Sequence, residues 1–491
     1  MKLISAASAV LLAYLVWGSR GWPLIHDVPL MHYIAWLIEQ GAVPYRDTFD
    51  MNLPGAYLLH LAVLRAGGAG DLAWRCFDLG WLAATCGLLL LYCRRIGHGW
   101  AAVGAALLFA LYHLSGGAWH AGQRDYLLGL FLLLGAWGVA RGTEQGASWA
   151  LGWGGLALGA AMTIKPHAAL YWVLCAAIAA RDRAWIMSSW RAASLVIASG
   201  LVVPGAVFGW LAWRGGLGPF LHIMTDYVIP LYSRVGRVSA WEAIRWHSFG
   251  RALAGLFLAL VLLALLAPPP REAARKGLAL VGVLYGIVHF VVQGKGWEYQ
   301  LYPLVLFCCA LAPAAVDSWR ATHWPRVLDL FGARRPIALA VWALLVIVLG
   351  AKGVEALDAP WIAEKHRRVT AITRDLAPLV PPGATVQVLD TTSGGIHVLL
   401  RLGLREPTRF IYDFHFFHDV EDPRIQALRA ELLSGLERGR PAAIVVLEES
   451  WPTPGYARLA AFPELAGLLD RSFTLAVDGV GYRIYAKRSD S

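Results

Sequence analysis

The feature that most constrains this chain is a run of apolar stretches, each about as long as a bilayer is thick, repeated from the first residues to about residue 351. Taking some twenty apolar residues as one crossing gives about eleven candidate spans. They lie near 3–18, 71–93, 100–117, 125–141, 148–165, 167–180, 192–213, 249–268, 277–293, 299–316 and 336–351. Hydrophobic residues make up 58% of the 491 positions and charged residues 15%, with a mean hydropathy of +0.53. A soluble globular chain is closer to a quarter charged. The fold class expected is therefore an α-helical polytopic membrane protein.

The net charge of +10 would suit a nucleic-acid partner if the basic residues formed one patch, but they fall in short links between apolar spans. One set of links carries Arg94-Arg95, Arg141, Arg181/Arg183/Arg191, Arg271/Arg275/Lys276 and Arg320/Arg326/Arg334/Arg335. The opposite short links carry single cations, Arg124, Lys165 and Lys295. That asymmetry places the first set in the cytoplasm. Counting spans from a cytoplasmic N-terminus agrees, provided the apolar piece 54–66 lies along the membrane surface and does not cross. The partners expected are membrane lipids and no nucleic acid. Residues 3–17 after Lys2 read as an uncleaved signal anchor, because no small-x-small site follows at Gly18-Ser19-Arg20. The six cysteines all lie in or beside apolar spans, so neither a disulfide framework nor a CxxC metal site is available.

After residue 352 the composition becomes that of a soluble α/β domain. Ala384–Asp390 and Ala442–Leu447 read as buried strands and Pro423–Arg438 as an amphipathic helix. Phe473–Asp478 and Tyr482–Lys487, flanking Gly479-Val480-Gly481, read as a hairpin. The division expected is thus 1–351, transmembrane and catalytic, and 352–491, extracytoplasmic. The loop 215–247, with alternating aromatic, aliphatic and basic residues, suits an interfacial segment. The Ala-Pro-Pro-Pro run ending at Pro270 stops a helix.

One loop stands apart. Between the first two long spans, His26 to His60 reads HDVPLMHYIAWLIEQGAVPYRDTFDMNLPGAYLLH. A connection between spans needs only a few residues, whereas this one uses about thirty-five and fills them with carboxylates, imidazoles and aromatics. Its Asp27 with His26 and His32, and its Asp50 with Asn52, form two of five outward-facing polar clusters. The others are Arg124-Asp125, Lys165 with His167, and Lys295 with Tyr299. Ionisable groups at a hydrocarbon boundary are costly, and five clusters on one face point to a shared polar cavity. Carboxylates there can accept a hydroxyl proton. Fixed cations can stabilise charge developing on a departing phosphate.

The order of residues in this loop resembles the first periplasmic loop of GT-C glycosyltransferases, nearest the protein O-mannosyltransferase and lipid A aminoarabinose transferase branch. The resemblance rests on Asp27 to Tyr33 (Asp-x-x-x-x-x-Tyr), Gly41 to Asp47 (Gly-x-x-Pro-Tyr-x-Asp) and Phe49 to Pro54 (Phe-Asp-x-x-x-Pro). Many members have Phe-(Asp/Glu)-Lys-Pro at the last point; here Met51-Asn52-Leu53 intervenes and the Lys is missing. Supporting echoes are GQRDY before the fourth span, KGWEYQLYP from Lys295 to Pro303, and HVLLRLGLREPTRF in the C-terminal domain. The resemblance implies an integral enzyme of the bacterial inner membrane with its site on the periplasmic side. It would move a sugar from a polyprenyl-phosphate donor to a glycan, lipid or protein acceptor. Asp27 would be the catalytic base. Asp50, Asn52, His32, Arg124, Asp125, Lys165, His167, Lys295 and Tyr299 would bind substrate. No resident cofactor is implied, and a divalent metal stays open.

Each cluster has a plainer alternative. Asp27 can cap the helix beginning near Pro29. Arg124-Asp125 can be a local ion pair, and Lys165 and Lys295 can snorkel to headgroups. His26, His32, Asp27 and His120 can be weighed as a metal site, although their spacing matches no ligand motif. The 23 Trp and 17 Tyr suit an interfacial belt. For the whole chain the alternatives are a transporter or flippase for a lipid-linked sugar and a non-catalytic membrane subunit. The orientation is directly testable: a reporter fused after Arg141 should read cytoplasmic and one fused after Lys352 extracytoplasmic. A cytoplasmic signal from residues beyond 352 overturns it.

Overall fold

The computed structural model describes residues 1–97, 99–181, 189–245, 250–266, 273–316 and 334–488. The Pro-rich stop before Pro270 and the basic residues Arg183, Arg271, Arg320 and Arg326 lie outside the described residues.

Every apolar stretch read from the sequence falls on a helix. The first elements are α1 (Lys2–Gly18), α2 (Asp27–Glu39), α3 (Pro54–Gly67), α4 (Asp71–Cys93), α5 (Gly99–Ser115) and the single turn α6 (Gly117–His120). Next come α7 (Arg124–Gln145), α8 (Ser148–Ile164), α9 (Ala168–Arg181) and α10 (Ser189–Trp213). The outer loop 215–247 forms α11 (Leu217–His222), a π-helical segment Ile223–Tyr232 and α12 (Ala240–Arg245). The series closes with α13 (Gly250–Leu265), α14 (Ala273–Gln293), α15 (Tyr302–Val316) and α16 (Arg334–Leu357). Among the described residues, seven helices are long and apolar enough to cross a membrane, and α5, α9 and α13 are shorter apolar helices. The chain is an integral membrane protein.

Its residues pack as two units. The first comprises Met1–Gly21, Arg75–Val207 and Val238–Asp358. Here helices approach through small residues. A Cβ on Gly138 of α7 would lie 2.7 Å from the Ala150 carbonyl and from the Gly154 Cα of α8. Gly142 and Gly135 meet Leu151 and Leu158 of the same neighbour. Lipid tails give apolar helices no net hydrophobic reason to associate, so close van der Waals approach of this kind carries the packing.

The second unit comprises Trp22–Trp74, Phe208–Arg237 and Ala359–Ser491. The division at 351/352 expected from composition is linear in sequence, whereas this unit joins the first loop and part of the second outer loop to the C-terminal residues. At its centre is a four-stranded sheet in the order β1-β2-β4-β3. The strands are β1 (Val386–Leu389), β2 (Ala443–Leu447), β3 (Phe473–Gly479) and β4 (Tyr482–Lys487). β1 and β2 are parallel and wholly buried, which is why both read as unbroken apolar runs. β4 closes on β2 and on β3 antiparallel, with the hairpin turning at Val480-Gly481. α17 (Pro360–Leu376), α18 (Gly395–Leu402), α19 (Pro423–Gly439) and α20 (Pro463–Ser472) complete the domain. The core of the unit is continuous from Tyr33, Phe49 and Tyr57 of the first loop to Val388, Phe410 and Val445 of the C-terminal part.

The glycine packing yields a paired prediction. Gly138→Ala should lower the thermal midpoint, because its new methyl meets backbone and the two helices must part; overpacking costs about 1–3 kcal/mol. Gly152→Ala, whose Cβ meets nothing within 4 Å, should leave the midpoint unchanged or raise it. Equal midpoints for the two variants in a detergent melting series would refute this packing.

Candidate active site

In the second unit a polar cluster gathers around the start of α2. His26 holds φ 52° and ψ −120°, a conformation that side chains with a Cβ rarely adopt and that costs about 1–3 kcal/mol unless its surroundings enforce it. Those surroundings are visible. The Lys365 ammonium donates to His26 Nδ1 at 3.2 Å and to the Thr392 carbonyl at 3.0 Å. The Trp361 ring lies 5.4 Å from the imidazole. Burial, with Lys365 adding to it, pushes the His26 pKa well below the usual imidazole range. The ring is therefore neutral and accepts the ammonium proton at Nδ1. Lys365 is only 7% exposed, and the carboxylates of Glu449, Asp390 and Asp27 act on it electrostatically.

Asp27 is the first residue of α2, half-buried, and the capping position belongs to His26. The His26 side chain makes no capping hydrogen bond, and Asp27 stands in the first turn of the helix, where a carboxylate is favourable. The opposite wall of this small cleft is the turn after β1, where Asp390 accepts from the backbone N–H groups of Ser393 (2.7 Å), Gly394 (3.0 Å) and Gly395 (2.8 Å). Lys365 and Asp390 had no place in the sequence reading. Only an amphipathic pattern over 360–376 hinted that a Lys there faces inward, and the pattern does not say toward what.

The other loop residues behave differently. Asp50 is fully buried and accepts from Met51 N (2.7 Å), from Asn52 Nδ2 (3.0 and 2.9 Å) and from Tyr57 Oη (2.6 Å). Tyr45 Oη donates to the Asn52 carbonyl at 2.5 Å. Asp50 and Asn52 thus stand inside a polar knot that holds the Gly41–Pro54 segment in shape. His32, also fully buried, shares a proton with His60 across 2.7 Å between their Nδ1 atoms, and both rings pack on Trp74. Burial lowers the His32 pKa to about 4. Asp71 binds the Leu24 amide at 2.8 Å and Arg401 at 3.0 Å, tying the loop's two ends to α18.

The cations Arg124, Lys165 and Lys295 lie in the first unit. Asp125 in the first turn of α7 is fully buried and lies 3.2 Å from Lys165 Nζ. It accepts from His289 Nε2 at 2.6 Å and from Gln293 Nε2 at 3.1 Å. Lys165 also donates to Gln293 Oε1 at 2.7 Å, and Gln300 Nε2 reaches the same oxygen at 3.2 Å. Arg124, next in the chain and half-buried, acts electrostatically on Asp125. His167 lies with its ring 5.6 Å from His289. Lys295, 7% exposed, sits between Gly294 (φ 61°) and Gly296 (φ 67°). That turn carries Tyr299, which is buried against Trp119 and Trp297. Of the expected residues, Asp125, Lys165 and His167 share one network around His289. Asp27 belongs to the second unit and Arg124, Lys165 and Lys295 to the first.

A second buried hub was missed. Asp78, inside α4 and fully buried, pairs with Arg75, accepts from the Gly122 amide at 3.2 Å and lies 3.1 Å from His113 Nε2. His113 Nδ1 is 2.8 Å from Tyr302 Oη, which is also 3.1 Å from His120 Nδ1. The hub fixes the turn that delivers Gln123 and Arg124 to α7. A carboxylate within an apolar span was the available signal. Polar residues in this chain therefore lie within the helices as well as at their outer ends.

No protein-family model and no curated protein sequence matches the chain. Among solved structures it is similar to ArnT from Cupriavidus metallidurans bound to undecaprenyl phosphate, at 16% identity and TM-score 0.61, covering 99% of this chain and 98% of that one. It is also similar to the apo state of the same protein, at 15% identity and TM-score 0.63 over the same shares. The archaeal oligosaccharyltransferase of Archaeoglobus fulgidus is more distant, at 13% identity and TM-score 0.48, covering 99% of this chain and 74% of that one. The GT-C-like architecture expected from the first loop, a helical membrane domain with a small α/β domain, is the fold of this chain.

Proposed function

We propose that the protein is a membrane glycosyltransferase that moves one sugar from a polyprenyl-phosphate carrier to an extracytoplasmic glycan, lipid or protein acceptor. The observation that carries this reading is the end-to-end likeness to a structure holding undecaprenyl phosphate. The polar cluster around Asp27, His26 and Lys365 and the cationic network around Asp125 support it. In the proposed reaction Asp27 takes the proton of the acceptor hydroxyl as its oxygen attacks the anomeric carbon. The bond from that carbon to the phosphate oxygen breaks, and the lipid phosphate leaves with the electron pair. Attack from the side opposite the leaving group inverts the configuration. Charge growing on the departing oxygen is where a fixed cation lowers the barrier. Arg124, Lys165 and Lys295 are the candidates for that cation, with Lys165 also paired to Asp125. We place the site and the C-terminal domain on the periplasmic side of a bacterial inner membrane, in keeping with the distribution of basic links. Transport of a lipid-linked sugar, the competing reading, draws on the buried charges of Asp78 and Asp125 and predicts no covalent product.

Two carboxylates can be told apart by experiment. Asp27→Asn should fold normally and lose about 10²–10⁴-fold in transfer rate, the usual contribution of a general base, with donor affinity near that of the parent. Asp50→Asn should instead fail in folding, because an amide nitrogen replaces an acceptor in a buried knot of donors at about 1–3 kcal/mol for each unmet group. A well-folded, inactive Asp50→Asn beside an active Asp27→Asn would transfer the base assignment to Asp50.

The lysines divide likewise. Lys295→Met should weaken donor binding by more than its loss of stability accounts for. Lys165→Met removes the cation paired with the buried Asp125 carboxylate and should destabilise the fold by up to about 3–5 kcal/mol, as removal of one partner of a buried pair does. Thermal melting combined with a lipid-phosphate binding assay separates the two outcomes, and an unchanged donor affinity in Lys295→Met removes that residue from the site.

A further inference from the structure

The cleft lined by His26, Lys365 and Asp390 is small, about 20 Å³, roughly room for one water. Within the same unit a second cleft of about 320 Å³ opens between the C-terminal end of α2 and the segment after α18, inside the range of about 300–1,000 Å³ typical of small-molecule sites. Tyr33, Leu37 and Gln40 line one wall, and Arg405, Glu406 and Arg409 line the other. The wall is rigid at its base: Tyr33 Oη donates to the Leu404 carbonyl at 3.1 Å and accepts from the Glu406 amide at 3.2 Å.

The charges around this cleft are not all committed. Arg409 is held by both oxygens of Glu431 at 2.6 and 2.8 Å, and Asp47 is held by Arg46 and the Val43 amide. Those pairs cancel. The exposed Arg405 guanidinium and the exposed Gln40 amide make no hydrogen bond or ion pair among the described residues. Glu406 uses one oxygen to accept from Gln387 Nε2 (2.9 Å) and Val388 N (3.1 Å). Its other oxygen, Oε2, is buried and meets no partner among the described residues. Burial raises the Glu406 pKa well above the usual carboxylate range. One guanidinium and one amide without hydrogen-bond or ion-pair partners among the described residues, beside an aliphatic side chain, form a lining suited to a charged sugar. The guanidinium fork matches a carboxylate or phosphate, and the amide matches hydroxyls.

We propose that this cleft binds an anionic, hydroxyl-rich glycan segment, with Arg405 pairing its acidic group and Gln40 meeting its hydroxyls. The inference rests on the glycosyl-transfer reading in taking this segment as part of the acceptor. Tyr33 lies six residues along α2 from Asp27, roughly 9 Å at 1.5 Å per residue, so the cleft suits a part of the acceptor remote from the reacting hydroxyl.

The test uses the full chain in lipid nanodiscs, with tetragalacturonate and neutral galactotetraose as probes in saturation-transfer NMR and calorimetry. Tetragalacturonate should bind, the neutral tetrasaccharide should bind at least tenfold more weakly, and Arg405→Ala should weaken tetragalacturonate at least tenfold without moving the melting midpoint. Gln40→Ala should cost a few-fold. Absence of tetragalacturonate binding, equal binding of the neutral sugar, or undiminished binding by Arg405→Ala each overturns the proposal. Asp27→Asn separates it from the catalytic reading. Transfer that survives Asp27→Asn refutes the base and leaves the binding result standing, whereas lost binding in Arg405→Ala with intact Asp27 chemistry on a short acceptor supports the cleft alone.

Discussion

The second unit depends on the bond between the Phe49 amide and the Arg409 carbonyl, 2.6 Å, which sets Phe49 beside Phe410 in a short parallel bridge. Arg409 closes the joint from both sides: its guanidinium lies 5.1 Å from the Phe49 ring and pairs with Glu431. Around this joint the aromatic rings of Tyr227, Phe410 and His415 pack on Phe49. A helix of 13 residues such as α2 is marginal in isolation. Its stability comes from burying Leu30, Tyr33, Ile34 and Ile38 in the core shared with the C-terminal residues. The position of Asp27 is therefore a property of the C-terminal domain as much as of the loop that encodes it. A truncation after α16 would remove the protein that holds the proposed base in place.

In the first unit the ordering force is different. Small residues bring helices together, and buried charge then fixes which faces meet. Asp125 draws donors from α14 and from the link after α8, and Asp78 draws Arg75, His113 and the Gly122 amide. A buried ion pair contributes little net stability against an apolar alternative, but losing one partner is costly. Such hubs penalise wrong helix registers more strongly than they reward the right one. The Arg124 turn is set between them, next to Asp125 in sequence and two residues after the amide that Asp78 binds.

Much of this was legible in the sequence because the physics is local. Apolar length marks a helix in lipid whatever its neighbours, and every stretch so read is helical. β1 and β2 announced themselves as apolar runs, and the β3–β4 hairpin through Gly479-Val480-Gly481. The similarity of the first loop to GT-C enzymes correctly indicated the fold. What was not legible is long-range. Nothing near residue 50 says that Phe49 pairs with Phe410, so composition drew a linear domain boundary across a discontinuous unit. Lys365, Asp390 and Asp78 escaped for the same reason, since their meaning lies in partners far away in the chain.

The first loop shows why residue type alone does not identify a catalytic group. Asp27 and Asp50 occur in similar polar settings in the sequence, and His32 looks as available as His26. Folding separates them by burial: Asp50 and His32 are fully enclosed, and Asp27 and His26 are half-buried. Asp50 has its oxygens engaged by the Met51 amide, Asn52 and Tyr57 within a fully buried knot. Taking up a proton there would break bonds that hold the loop. His32 spends its Nδ1 on His60. Asp27 instead stands at the first position of α2, half-buried, in the field of a lysine that also braces a strained His26. Strain maintained by a buried cation is expensive for a structural turn, and a Gly at position 26 would relieve it. A chain that keeps His there and closes a buried Lys over it is holding one geometry at the start of α2, and the carboxylate held in that geometry is Asp27.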